Sequence, residues 1–197
     1  SEQDDVIEKL QELYLHLKAS DQKNKKHSPI FDPIGTNRSI KDKLIPDWEP
    51  NLSIPKNYKH LGKDVDFYKD GSIIEVQFSN YPFLANNLLR TEVFFKSSEL
   101  IFKDRVKNLT VITKGKRLPS SQSTLNYEQA EEQLDIWSEN EIFSIPIRLI
   151  GITIDETTFE EGIWTEYKKR TSRDVISSSI QRFSINSQNK EYSFKKN

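Results

Sequence analysis

Apolar positions along the chain follow several distinct rhythms. From Asp4 to Ser20, Val6, Leu10, Leu13 and Leu17 recur at helical spacing, with Ile7 and Tyr14 widening the stripe. The pattern predicts an amphipathic helix, with Asp4 or Asp5 as its N-cap. From about Asp21 to His60 the periodicity lapses, and five of the eight prolines collect there (Pro29, Pro33, Pro46, Pro50, Pro55). Ile30, Phe31, Ile34, Leu44, Ile45 and Trp48 make this stretch too apolar for a free linker. It reads as an ordered arm packed on the domain, and long ordered loops are often functional.

Alternation is clearest between Asp64 and Ser79. Val65-Asp66-Phe67-Tyr68 leads into Lys69-Asp70-Gly71-Ser72, a hairpin turn signal, and Ile73 to Phe78 continues as a second strand. On that strand Ile73, Glu75 and Gln77 share one face, and Ile74, Val76 and Phe78 the other. Leu84 to Phe102 predicts a long helix, apolar over much of its circumference and so largely buried in the core or at a subunit interface. A short strand over Leu109–Thr113, a polar loop over Lys114–Thr124, an amphipathic helix over Leu125–Ser138 and a buried strand over Ile145–Ile154 complete the core. The tail from Thr171 is rich in Ser, Asn and Lys, with weak alternation near Val175–Ile185. This order predicts an α/β fold with a mixed central β-sheet flanked by helices. The 197 residues suit a single domain: a helix and Pro-containing arm over 1–60, a core over about 61–155, and a basic C-terminal segment over 156–197.

Composition narrows the chemistry. There are no cysteines, which excludes disulfides and thiolate metal sites and suits a cytoplasmic setting. The chain opens on SEQDDVIEKL, not on a secretory leader, and no apolar run approaches a membrane span, so no membrane is expected. No Gly-rich phosphate loop is present, so no nucleotide cofactor is expected either. Net charge is -1 but unevenly spread. From Lys103 to Arg117 six bases stand against one acid, from Gln122 to Phe143 six acids stand alone, and from Glu166 onward eight bases stand against three acids. Basic patches on a neutral protein can mark a phosphate-binding face, although a solvated surface gives the same pattern.

The hairpin carries the candidate chemistry. It can bring Asp66 and Glu75 within reach of one ion, and two carboxylates suit Mg2+, which keeps several waters and takes phosphate oxygens. Two solvated carboxylates on an exposed sheet face would give the same spacing. Glu75, however, lies among Ile73, Ile74, Val76 and Phe78, and a charge in such a strand needs a partner or a metal. His27 and His60 read as surface histidines, and Lys63 as either a solvated lysine or a phosphate contact.

Asp66, followed nine residues later by Glu75-Val76-Gln77, resembles a variant of the PD-(D/E)XK nuclease signature in which Gln takes the usual Lys position. The polar turn and apolar helix that follow, Pro119-Ser120-Ser121 ahead of Tyr127-Glu128-Gln129, and Ile145-Pro146-Ile147-Arg148-Leu149-Ile150-Gly151-Ile152 extend the likeness over about Asp64 to Ile154. On these residues the chain is similar to the BglII/BstYI-like group of type II restriction endonucleases. The resemblance implies a restriction-endonuclease-like fold, a homodimer and Mg2+-dependent hydrolysis of double-stranded DNA at a short palindrome containing GATC. It implies Asp66, Glu75 and the Val76 carbonyl as metal ligands. Gln77 would position the attacking water or contact the scissile phosphate. Because Gln lacks the charge of Lys, more of the stabilisation falls on the metal and nearby bases. Asn80 and the loop Ser120, Ser121, Gln122 and Ser123 would contact DNA, with Lys114, Lys116 and Arg117 on its backbone. Two other readings stay open: a catalytic subunit needing a separate recognition partner, and a degenerate DNA-binding module.

Overall fold

The computed structural model describes residues 2–20, 22, 26–121, 125–155, 158–169, 172–187 and 191–197. Ten strands and four α-helices among them form two compact units, each built on a five-stranded sheet. One unit takes residues 1–43, 116–124 and 153–197, the other 44–115 and 125–152, so neither is a continuous stretch of chain. The expected mixed α/β architecture holds, with two sheets in place of one.

In the second unit the sheet order is β3 (Glu49–Ser53), β4 (Asp64–Lys69), β5 (Ser72–Val76), β6 (Asn108–Lys114), β7 (Ile147–Ile152). The first three strands are antiparallel and the last two join in parallel. The sheet that carries the hairpin therefore begins before residue 61. The β4–β5 turn follows from Asp70 and Gly71, with φ of 47° and 90°, the left-handed pair that matches strand twist in a two-residue hairpin. Gly71 also allows close approach, since a Cβ there would lie 2.3 Å from the Arg105 carbonyl oxygen. Helix α3 (Pro82–Lys96) crosses from β5 to β6, and α4 (Tyr127–Glu139) from β6 to β7. Asn126 caps α4 by accepting the Gln129 N–H at 2.9 Å. Leu84, Leu88 and Phe94 of α3 pack with Val65, Tyr68, Ile73, Leu109 and Val111 into the core.

Two expectations for this unit change. The helix predicted over Leu84–Phe102 stops at Lys96, and it buries only one side: Leu89 and Val93 are 54% and 43% exposed. The strand predicted as buried over Ile145–Ile154 is β7, partly buried at every position because it is an edge strand flanked only by β6.

The first unit departs further from the pattern. The helix predicted over Asp4–Ser20 is α1 (Glu2–Gln11), and Leu15–Ala19 is strand β1. Leu13 and Leu17 fit helical and alternating periods alike. Long-range pairing decides, with Leu17 set against Phe31 of β2 (Pro29–Phe31) and against Trp164 of β8 (Phe159–Tyr167). The arm read as irregular contains α2 (Pro33–Leu44). Asp32 caps it, with Oδ1 accepting the Ile34 N–H at 3.2 Å, and Pro33 stands at the first helical position, where its missing N–H costs nothing. The tail read as weakly alternating forms β9 (Val175–Asn186) and β10 (Ser193–Lys196), giving the order β10-β9-β8-β1-β2. Gly71→Ala should destabilise the second unit by about 1–3 kcal/mol in urea denaturation, through positive φ and the Arg105 clash; a loss below about 0.5 kcal/mol would contradict this account of the turn.

Candidate active site

Asp66 and Glu75 lie on adjacent antiparallel strands, one step beyond the Phe67–Ile74 pair. The ladder ends there, because the Asp66 carboxylate reaches across and accepts the Val76 N–H at 2.8 Å. Asp66 is half-buried, whereas Glu75 and Gln77 are only 4% and 7% exposed. The hairpin thus brings the three residues together on the sheet of one unit, with the two carboxylates as neighbours.

The surroundings of Glu75 come from α3. An Nη2 of Arg90 donates to Glu75 Oε1 in a buried ion pair. The same nitrogen contacts Asn87 Oδ1 at 3.2 Å, and Nη1 donates to the Asp64 carbonyl oxygen at 3.2 Å. Asn87 in turn donates to Gln77 Oε1 at 3.3 Å, and Gln77 Nε2 donates to Ser79 Oγ. One chain of hydrogen bonds therefore runs Glu75–Arg90–Asn87–Gln77–Ser79. Asn87 and Arg90 are one helical turn apart, which puts both on the face toward β5.

Burial and like charge act together here. The Glu75 carboxyl is pushed up to about 8, because burial and the like charges of Asp66 and Asp64 together outweigh the pull of Arg90. Burial also raises the Asp66 carboxyl, against the Val76 N–H that favours its ionised form. One guanidinium thus serves a cluster of carboxylates crowded enough to oppose one another. Among the described residues no group of three or more His, Cys, Asp and Glu side chains is placed to hold a metal. Asp66 and Glu75 are the two carboxylates that could hold an ion, and a set of two suits one that retains several waters.

Other expected residues fall as follows. Asn80 is exposed at the mouth of α3, its carbonyl accepting the Phe83 N–H at 3.1 Å. Lys116, Arg117, Ser120 and Ser121 belong to the other unit. Lys116 is exposed and the other three half-buried. Their loop is pinned twice: the Tyr192 N–H donates to the Arg117 carbonyl at 2.8 Å, and the Phe31 N–H to the Pro119 carbonyl at 2.7 Å. The Arg117 guanidinium also stacks on the Tyr192 ring, 4.3 Å from its centroid. Gln122 and Ser123 lie outside the described residues. Lys114 departs from the expectation of a surface cation: it is 3% exposed, because it ends a strand flanked on both sides. His27, His60 and Lys63 are exposed, as surface residues would be.

Sequence reasoning missed Arg90 and Asn87. A signal was present, since a charge inside the apolar stripe of a helix needs a partner. It also missed Asn51, which has φ of 52° within β3, between the pairs Pro50–Phe67 and Leu52–Val65 that flank Asp66. A non-glycine residue held in the left-handed region beside a carboxylate site is the kind of strain that collects at functional positions.

Known proteins share this fold. The model of the restriction endonuclease BglII/BglIII family matches residues 1–152. The type II restriction enzyme BglII of Bacillus subtilis is 47% identical over 173 residues, 87% of this chain and 78% of that protein. The crystal structure of restriction endonuclease BglII complexed with a DNA 16-mer superposes with a TM-score of 0.94 at 42% identity, covering 99% of this chain and 91% of that one. The crystal structure of free BglII gives 0.76 at 37% identity, covering 99% and 90%. The family match extends the resemblance beyond Asp64–Ile154 to the first residues of the chain.

Folding takes up a proton at Glu75, which ionises near 4.5 when unfolded and at about 8 when folded. The stability this contributes is complete below about 4.5 and is lost as pH rises through about 8. Urea denaturation between pH 5 and 9 should therefore show a decline, on the order of 1 kcal/mol per pH unit at its steepest, that Glu75→Gln removes. An identical slope in both proteins would contradict the assignment.

Proposed function

Because the chain belongs to the BglII/BglIII restriction endonuclease family, we propose that it cleaves both strands of a short palindromic DNA site containing GATC, using Mg2+ at Asp66 and Glu75. The observation that carries this reading is the adjacency of those two carboxylates on one hairpin, beside a Gln77 held in a fixed orientation. The residues fit the ion: the donors are oxygens, the cluster is short of positive charge, and the Val76 carbonyl is a further candidate ligand. A bound Mg2+ would lower the pKa of a water and neutralise charge developing on the phosphate.

This chain's own residues do the positioning. The Val76 N–H holds Asp66 in its rotamer, and Arg90 holds Glu75. Gln77 cannot act as a cation, but its amide is oriented at both ends. Oε1 is taken by Asn87 and one Nε2 hydrogen by Ser79, which leaves the second Nε2 hydrogen for a phosphate oxygen or the attacking water. On the DNA side Asn80, Lys116, Arg117, Ser120 and Ser121 are assigned contacts, joined by Gln122 and Ser123 from the same segment. The double pinning of that loop would hold base-reading groups in register. Lys114 joins only if DNA binding uncovers it.

A twofold site calls for a twofold protein, and the exposed Leu89 and Val93 on α3, with Ile136 on α4 at 58% exposure, suit a homodimer contact. Both compact units are read as parts of one nuclease domain, since the chain passes between them repeatedly. Among the described residues no helix is long and apolar enough to cross a membrane.

Plasmid digestion with Mg2+, followed by sequencing of the ends, should give one cut position within a palindrome. Asp66→Asn and Glu75→Gln should each slow cleavage by about a thousandfold or more, a barrier increase of about 4 kcal/mol. Duplex binding in Ca2+ should stay within about tenfold, or about 1.4 kcal/mol, of the parent. Full cleavage by either variant would overturn the assignment, and no cleavage by the parent chain alone would favour a separate recognition partner.

A further inference from the structure

The guanidinium of Arg90 occupies one oxygen of Glu75, a carboxylate assigned above to the metal. Its Nη2 sits on Glu75 Oε1, while Nη1 is tied to the Asp64 carbonyl and Nη2 also touches Asn87. Arg90 is 8% exposed, and its Nε is buried with no hydrogen-bond partner among the described residues. An arginine normally satisfies such a donor, and leaving it unmade in a buried position is costly. The side chain is therefore drawn to Glu75 at the expense of its own third donor. The chain makes room for this placement at Gly62, where a Cβ would lie 2.4 Å from Arg90 Nη1. Gly62 also has φ of 146°, so the position disfavours a side chain on both counts.

We propose that Arg90 is the built-in counter-charge of the metal site, so that a divalent cation and the Arg90 guanidinium compete for Glu75. The inference rests on the reading of Asp66 and Glu75 as metal ligands. Without an ion, the guanidinium keeps Glu75 in place between like charges. An ion held by Glu75 would displace the guanidinium from that carboxylate, while the tethers to Asp64 and Asn87 would keep a cation close to Gln77. The positive charge that position 77 lacks is thus supplied from α3, and Arg90 acts as a positioning residue through Glu75 and Asn87.

Calorimetric titration of the full chain with Ca2+ in the presence of a cognate duplex tests the competition. Arg90→Gln removes the charge but keeps hydrogen-bonding capacity, and it should bind Ca2+ about tenfold or more tightly than the parent, while its Mg2+-dependent cleavage slows. Arg90→Lys keeps the charge and should bind Ca2+ near the parental affinity. A residue that only supported the fold would weaken Ca2+ binding when removed. Equal or weaker binding by folded Arg90→Gln therefore overturns the proposal. If that variant does not fold, the parent chain labelled with 15N-arginine remains decisive. Its slowly exchanging Arg90 side-chain resonance should shift on Ca2+ addition, and an unmoved resonance overturns the competition. Glu75→Gln is the control for the underlying reading. Undiminished Ca2+ binding by Glu75→Gln would overturn the metal assignment itself, an outcome separate from failure of the competition alone.

Discussion

A carboxyl group enclosed by an apolar sheet, whether protonated or ionised, needs a partner, and Glu75 finds Arg90. Isolated burial of either group would cost far more than one hydrogen bond returns, and removal of one partner from such a pair typically costs about 3–5 kcal/mol. The pair therefore constrains everything near it. Helix α3 must lie with Arg90 facing β5, which also places Leu84 and Leu88 on the core. A Cβ at position 62 would meet the Arg90 guanidinium, and its φ of 146° also disfavours a side chain. Asn87, one turn before Arg90, is brought to Gln77 by the same helix orientation. Packing and site geometry thus share one cause. A buried pair of this kind is weak evidence of stability, since an apolar replacement could pack as well. Its retention in a hairpin beside a second carboxylate argues for chemistry.

The extent to which this was legible from sequence differs between the two units. Lys69-Asp70-Gly71-Ser72 announced the β4–β5 hairpin because the turn conformation is a local property of Asp and Gly. The succession of α3, β6, α4 and β7 was legible because each has its own periodicity, although boundaries moved by several residues. The first unit hid its sheet. Leu15–Ala19 is a strand because of Ile30, Phe31 and the segment Gly162–Thr165 that pair with it, and those partners are distant in sequence. Strand β8 gave no signal that was read at all. Helix α2 is hidden for a different reason: the arm shows no sustained apolar period, although Asp32-Pro33 is a start signal when a helix follows.

The candidate site was legible in its acids and opaque in its support. Asp66 and Glu75 follow from a spacing that any hairpin would bring together. Arg90 is fifteen residues from Glu75 along the chain, and only the packing of α3 on β5 brings the two together. From sequence, the loss of Lys at the position of Gln77 looked like a missing charge to be made up by the metal. In the fold a guanidinium already stands two hydrogen bonds away from that amide, through Asn87.

That arrangement bears on whether Gln77 marks an inactive relic. A position released from function has no reason to keep its amide fixed from both ends, and a buried, unneeded amide would drift toward an apolar side chain that packs without hydrogen bonds. Gln77 is instead buried and held by Ser79 and Asn87, and its backbone N–H is paired with Ile112 at 2.8 Å. The cost of ordering that network is recovered only if the remaining amide hydrogen has a task. The site also keeps Glu75 and a cation within that network, with Asp66 beside it on the neighbouring strand. A degenerate binding module would need none of the three in that order. These features favour a working nuclease whose positive charge stands on the helix and not on the strand.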